Sequence, residues 1–236
     1  LSNPNFLDKY EQLWNELSLD IWKQYYKWRF INSISSFVHE DASKKKFEFY
    51  GKVLSGTPEM LPRWKRVVSN CDSQLGVVVG KSFVKEYFPE SSKNKALKLV
   101  KYIYQELEIR LKNNDWMEDA TKVKALEKLK KMNVKIGYPD VPKDYSKLVL
   151  SLNDSYLTNN LKCLKFNEDL DWEKLYKEKD LNEWFMNPHM VNAYYSPTNN
   201  EIVFPAGILQ EPFFSKDYDA PLNFGGIGAV IGHEIT

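Results

Sequence analysis

The chain has 236 residues, 43% of them apolar and 14% aromatic, with a formal net charge of +1. That length and apolar share suffice for a sizeable core in one large or two modest domains, and they exclude wholesale disorder. The near-neutral charge excludes a global pull toward nucleic acid or anionic membrane, and no apolar run approaches the roughly 18 residues of a bilayer span.

The opening, LSNPNFLDKY, lacks the basic-then-apolar layout of a signal peptide and has no initiator Met. The expectation is a piece internal to a longer chain. The first 135 residues read as helices. LDKYEQLWNELSLDIWKQYYKWRFINSISSFV carries aromatics at helical spacing. Pro62 suits the first turn of a long helix, where its missing N–H costs nothing, and Pro89 with ESS breaks the pattern. KNKALKLVKYIYQELEIRLKN then places Ala96, Val100, Ile103, Leu107 and Leu111 on one face. NDWMEDATKVKALEKLKKMNV predicts another helix, with Asp115 and Glu118 spaced as a capping box. The basic runs KKK and KLKK read as solvated helix faces.

Two prolines and a glycine in residues 137–147 mark the best domain boundary. A helix is expected from Asp154 through SYLTNNLKCLKF, with DWEKLYKEKD extending or following it. HMVNAYY and EIVF flank the turn-forming SPTNN and predict a β-hairpin over residues 190–195 and 201–204. Loops follow, and LNFGGIGAVIGHEIT reads as one buried helix despite its glycines.

The chemistry sits in that last stretch. Two histidines four apart on a helix can grip one zinc ion, and a glutamate after the first can act on water at the metal. His233 and Glu234 stand in place, Ile235 and Thr236 fill the spacers, and a second histidine would fall one position beyond the last residue. A bare His-Glu is usually a surface pair or a capping residue; His39–Glu40, with Ser43 four positions after the histidine, is the chain's own example. His233 differs in following an apolar run, where a buried polar pair would need a partner or a job. GGIGAVIG lacks both the spacing and the leading strand of a dinucleotide site. His189 reads as structural or surface, since no partner is spaced to join it. Cys71 and Cys163 form no metal-type pair and read as two buried free thiols.

VNAYYSPTNNEIVFPAGILQEPFF followed by LNFGGIGAVIGHEIT resembles the neprilysin and endothelin-converting-enzyme family of zinc metallopeptidases, which includes oligopeptidase O. The resemblance reaches back through WMEDATKVKALEKLKKMNVKIGYPD and FYGKVLSGTPEMLPRWKRVV. It implies a mainly α chain with a small β part: the later, C-terminal part of a helical cap over residues 1–148, then the first half of a thermolysin-like zincin catalytic domain over residues 149–236. It implies His233 as a zinc ligand and Glu234 as general base, with the second histidine and a glutamate ligand beyond Thr236. Asn192, Ala193 and Tyr194 match the motif that holds a substrate peptide as an added strand. Ile208, Phe213, Ala229 and Val230 match positions lining the pocket after the scissile bond, although core packing explains each equally well.

The implied activity is zinc-dependent hydrolysis of small peptides, with one Zn2+ per complete chain and no nucleic-acid or membrane partner in this segment. The chain on its own is expected to be inactive. The rival reading is a catalytically dead interaction module of the same fold. Cys71 falls where secreted members carry a disulfide cysteine, which slightly favours an extracellular or membrane-anchored ectodomain.

Overall fold

The aromatic spacing near the start is realised as helix, in a computed structural model that describes Asn3 and residues 5–236. The chain divides into two compact units, one of residues up to Val67 with Ser146–Asp171, the other of Val68–Tyr145 with Trp172–Thr236.

In the first unit α1 (Asn5–Glu16), α2 (Leu19–Val38) and α3 (Glu40–Lys46) lead into a π-helix at Phe47–Leu54. The ring of Trp22 is a hub for Tyr10, Trp14, Tyr25 and Tyr26, with centroids 5.1 to 5.9 Å away. His39 caps α3, its Nδ1 accepting from the Ala42 N–H at 3.2 Å, and the Glu40 carboxylate takes Arg66 Nη2 at 3.1 and 3.2 Å. This first His-Glu pair is therefore a helix cap and an ion-pair partner.

α4 (Arg63–Tyr87) starts in the first unit and continues in the second, with a kink at Leu75. It carries Cys71, which is exposed where burial was expected, whereas Cys163 is buried. Pro62 sits one residue before its start, and its carbonyl accepts the first helical bond from the Arg66 N–H at 3.2 Å. Pro89 ends the break and caps α5 (Glu90–Asn113), so ESS belongs to the first turn of the new helix. The predicted face of α5 is the buried one: Ala96 and Val100 lie in the core, with Ile103, Leu107 and Leu111 packed against it. α6 (Asp119–Lys130) begins later than the capping-box spacing predicts, and Glu118 is itself the cap residue, without a side-chain cap bond. Asn114 organises the approach instead, its Oδ1 accepting from the N–H groups of Trp116 (3.1 Å) and Met117 (2.9 Å). α7 (Tyr156–Lys174) runs without interruption through DWEK, and its start is capped by Ser155 Oγ, which accepts from the Thr158 N–H at 3.0 Å.

The second unit also holds a strand that the sequence pattern assigned to the end of a helix: β1 (Asn133–Gly137). Five residues make too short a window for periodicity to separate strand from helix end, and the partner that settles it is distant in sequence. β1 pairs in parallel with β3 (Glu201–Pro205), which pairs antiparallel with β2 (Tyr194–Ser196), giving the order β1-β3-β2. The predicted hairpin is present, with a shorter first strand. Asn200 turns the hairpin at φ 47, which asparagine tolerates better than most residues. Its carbonyl takes the Asn133 N–H at 2.8 Å and its side-chain N–H reaches the Lys128 carbonyl at 2.9 Å, docking the turn on the end of α6.

Register sorts the side chains. Val134, Ile136, Tyr195, Ile202 and Phe204 lie on one face and join the core with α5. Lys135, Tyr194, Ser196, Glu201 and Val203 share the opposite face, because successive strand residues alternate. The predicted single C-terminal helix is two, α8 (Ala220–Gly225) and α9 (Ile227–Ile235), broken at Gly226 with φ −88 and ψ −99. Among the described residues no helix is long and apolar enough to cross a membrane.

Candidate active site

α9 is held by one face. Ile227, Ile231 and Ile235, four apart, are buried in the core with Gly228, and the helix lies against α5 and β2. His233, two positions past Ile231, therefore points to the open side and is exposed, while Glu234 is half-buried. The imidazole thus avoids the burial cost that the apolar run suggested. Ala229 and Val230 precede His233 by four and three positions and so share its side of the helix; Ala229 is exposed and Val230 half-buried.

The start of α9 is fixed by a loop carbonyl. Phe213 O accepts from the Ile227 N–H at 2.7 Å, and the Phe213 ring is partly exposed. Asn223, wholly buried, ties the preceding loop down: its Oδ1 takes the Ser215 N–H at 3.1 Å and its Nδ2 donates to Ser215 O at 2.9 Å. Ile208 lies in the core at 5% exposure, so in this chain it packs with the interior. A groove of about 420 Å³ opens between α5 and α9, lined by Tyr102, Leu107, Phe224 and Ile235 among others, and not by His233, Glu234 or Asn192.

Among the described residues β2 is an edge strand, joined to β3 on one side. Just before it, the exposed Asn192 folds its side-chain oxygen back onto the Ala193 N–H at 2.9 Å. That bond engages the amide oxygen, so the N–H groups are what this exposed side chain has left to donate. Ala193 is buried and anchors the approach. Tyr194 accepts the Phe185 N–H at 3.0 Å through its hydroxyl, and its pKa is raised, chiefly because burial disfavours the phenolate.

The structure also supplies a partner for His189 that sequence spacing hid. Its Nε2 pairs with Asp72 on α4, and Asn187 Nδ2 donates to the Asp72 carbonyl at 3.2 Å. Gly76 and Gly80, one and two turns further along α4, admit Asn187 and Pro188, whose atoms lie where a Cβ would stand. Asp72, Gly76 and Gly80 recur at four-residue steps, but spacing alone does not say which segment they receive.

As a metal centre the donor set is one corner. His233 offers an exposed ring on a well-anchored helix, yet among the described residues no group of three His, Cys, Asp or Glu could hold an ion. A mostly helical chain with one small mixed sheet and a helix-borne His-Glu fits the class of zinc peptidases that place their metal on such a helix. The comparisons place it more closely. Models of Peptidase family M13 match residues 1–139 and 192–236. Endothelin-converting enzyme 1 of Bos taurus is 39% identical over 99% of this chain, and neprilysin-11 of Caenorhabditis elegans 36% over 98%. The Mycobacterium tuberculosis zinc metalloprotease Zmp1, in complex with inhibitor, superposes with a TM-score of 0.90 at 40% identity over 98% of this chain and 35% of its own. PepO from Lactobacillus rhamnosis gives 0.84 at 33% identity over 93% of this chain and 35% of its own. The chain belongs to peptidase family M13, a family of metallopeptidases. It spans 32% of the bovine enzyme's length and 28% of the worm protein's.

Proposed function

We propose that this chain carries the later part of the helical cap and the first half of the catalytic domain of a zinc-dependent endopeptidase acting on small peptides, with the division near residue 148. The observation that supports this most directly is the placement of an exposed His233 and adjoining Glu234 on a helix that lies against an open edge strand preceded by Asn192. His233 would hold zinc together with ligands supplied from outside this chain. When bound, zinc supplies Lewis acidity, polarising a carbonyl and acidifying water. The Glu234 carboxylate would take a proton from the attacking water and return it to the leaving amine. The exposed amide of Asn192 would donate to a peptide carbonyl, while β2 adds the peptide as a further strand. Ala229 and Val230, beside His233 on the helix, and the exposed edge of Phe213 would border the pocket after the scissile bond. An ectodomain location is part of the same proposal.

The test is zinc content and turnover of a quenched short peptide in a full-length form, one spanning what the relatives span, beside the chain as it stands. The full-length form should bind one zinc and cleave, and His233→Ala should abolish both. The 236-residue chain should bind zinc weakly and cleave nothing, since one histidine does not make a three-ligand shell. A zinc-free, inactive full-length form would instead support the rival reading, an interaction module of the same fold.

A further inference from the structure

We propose that the buried Lys135–Glu201 pair is a positioning device for the peptide-docking strand, acting through the segment that covers the outer face of the sheet. This rests on the docking role proposed above for residues 192–194.

The pair is among the most enclosed charges of the second unit, with side chains 7% and 1% exposed. Lys135 Nζ lies 2.7 Å from Glu201 Oε2 and donates to the Glu183 carbonyl at 2.8 Å, while Glu201 Oε1 accepts from Asn199 Nδ2 at 3.0 Å. The ammonium thus joins three pieces of chain: β1, β3 and the strap of residues 183–190. The strap is pinned again along its length. The Glu183 carboxylate holds Lys174 Nζ at 2.6 Å, the Phe185 N–H donates to the Tyr194 hydroxyl, the Pro188 carbonyl takes the Gly207 N–H at 2.9 Å, and His189 pairs with Asp72. Two residues beyond it comes Asn192.

Stability alone does not account for such a pair. Two apolar side chains of similar volume would serve a buried sheet face as well or better. What they would not do is bond the Glu183 carbonyl and so dictate where the strap lies. β2 has only three residues and one neighbouring strand, and so short an edge is weakly specified by its own ladder. A strand that must present its free N–H and C=O groups to a peptide in one line gains that line from a backing fixed on the other side. Lys135 and Glu201 touch no substrate in this arrangement; they set the strap, and the strap sets residues 192–194.

The experiment compares wild type, Lys135→Arg, Lys135→Met and the double variant Lys135→Met/Glu201→Leu in the full-length form. The double variant leaves no lone buried charge and is the one expected to fold in every case. Hydrogen exchange of residues 183–196 is read beside zinc content, kcat and KM. The double variant should lose protection in that segment while α5 keeps it. Its KM should rise about 10-fold, the order of one lost charge-assisted hydrogen bond, with zinc and kcat held. Lys135→Arg should restore most of the KM. Unchanged protection overturns the proposal, and so does lost protection with an unchanged KM in an active enzyme. An equal fall in zinc, kcat and folded fraction, with KM held, shows a merely structural pair and overturns it too. A wild type that cleaves no peptide sinks the peptidase reading separately, and exchange then judges the clamp alone.

Discussion

The carbonyl of Phe213 accepts the first N–H of α9, that of Ile227, at 2.7 Å, and a Cβ on the intervening Gly226 would stand 2.4 Å from that same oxygen. The helix that carries His233 and Glu234 therefore starts where it does because residue 226 has no side chain. Backbone cannot move aside as a flexible side chain can.

Gly226→Ala should accordingly destabilise by about 1–3 kcal/mol, the range for overpacking. Gly232→Ala supplies the contrast, since nothing lies within 4 Å of its added Cβ. It should stabilise by about 0.5–1 kcal/mol through helix propensity. Thermal midpoints of the two variants should move in opposite directions; a shift of the same sign would remove the steric account of Gly226.

Asn192→Ala should weaken peptide turnover in the full-length form and leave zinc content unchanged. A lost amide–peptide hydrogen bond is worth about 1–3 kcal/mol, or roughly 5- to 150-fold in kcat/KM. Equal turnover across several peptides would remove Asn192 from the docking role.

Glu234→Gln separates chemistry from metal binding. The amide has nearly the shape of the carboxylate, and His233 is untouched, so zinc should stay close to one per chain. Activity should fall by at least the roughly 10²–10⁴-fold that a general base contributes. Near-normal turnover would place the base elsewhere without bearing on the zinc role proposed for His233.

Tyr104 links the core to pH. Its hydroxyl is buried without a hydrogen-bond partner, and its pKa is pushed up from 10.0 to about 12, first by burial and then by the neighbouring Tyr195. The folded state holds this proton more tightly than the unfolded one. Its contribution is thus fully present below pH 10 and is lost as pH rises from there toward about 12. Tyr104→Phe should be neutral or stabilising at pH 7, because it removes an unsatisfied polar group. It should also flatten the decline in stability across that alkaline window. A Tyr104→Phe protein that is clearly less stable at neutral pH would point to a bond the hydroxyl makes after all.

Sequence spacing read the local devices well. The apolar face of α5, the hairpin turn at SPTNN and the His-Glu on a glycine-bearing helix all follow from periods and residue types within a short window. What escaped it depends on distant partners. β1 is a strand only because β3 runs beside it, and His189 finds Asp72 across most of the second unit's sequence. Lys135 looks like one solvated lysine among many until Glu201 is placed beside it on the same sheet face. The break at Gly226 was hidden for a different reason: glycines weaken a helix anywhere, and only the position of the Phe213 carbonyl shows which one is required. The candidate site residues divide the same way. His233 and Glu234 were legible as a helical dipeptide, whereas the burial of Ile208 became evident only with the core around it.

The parallel pairing of β1 with β3 also has a consequence for biosynthesis. Register joins Asn133 to Glu201 and Gly137 to Pro205, so every residue between the two strands must leave the ribosome before the sheet can close. At roughly 5–20 residues per second, that leaves β1 waiting on the order of several seconds with an unpaired edge. Lys135, destined for burial against Glu201, keeps a charge in the middle of that edge throughout the wait. A charged residue there discourages pairing with the edge of another nascent chain. The lysine that ends inside the fold would thus act first as a guard against aggregation on the way to it.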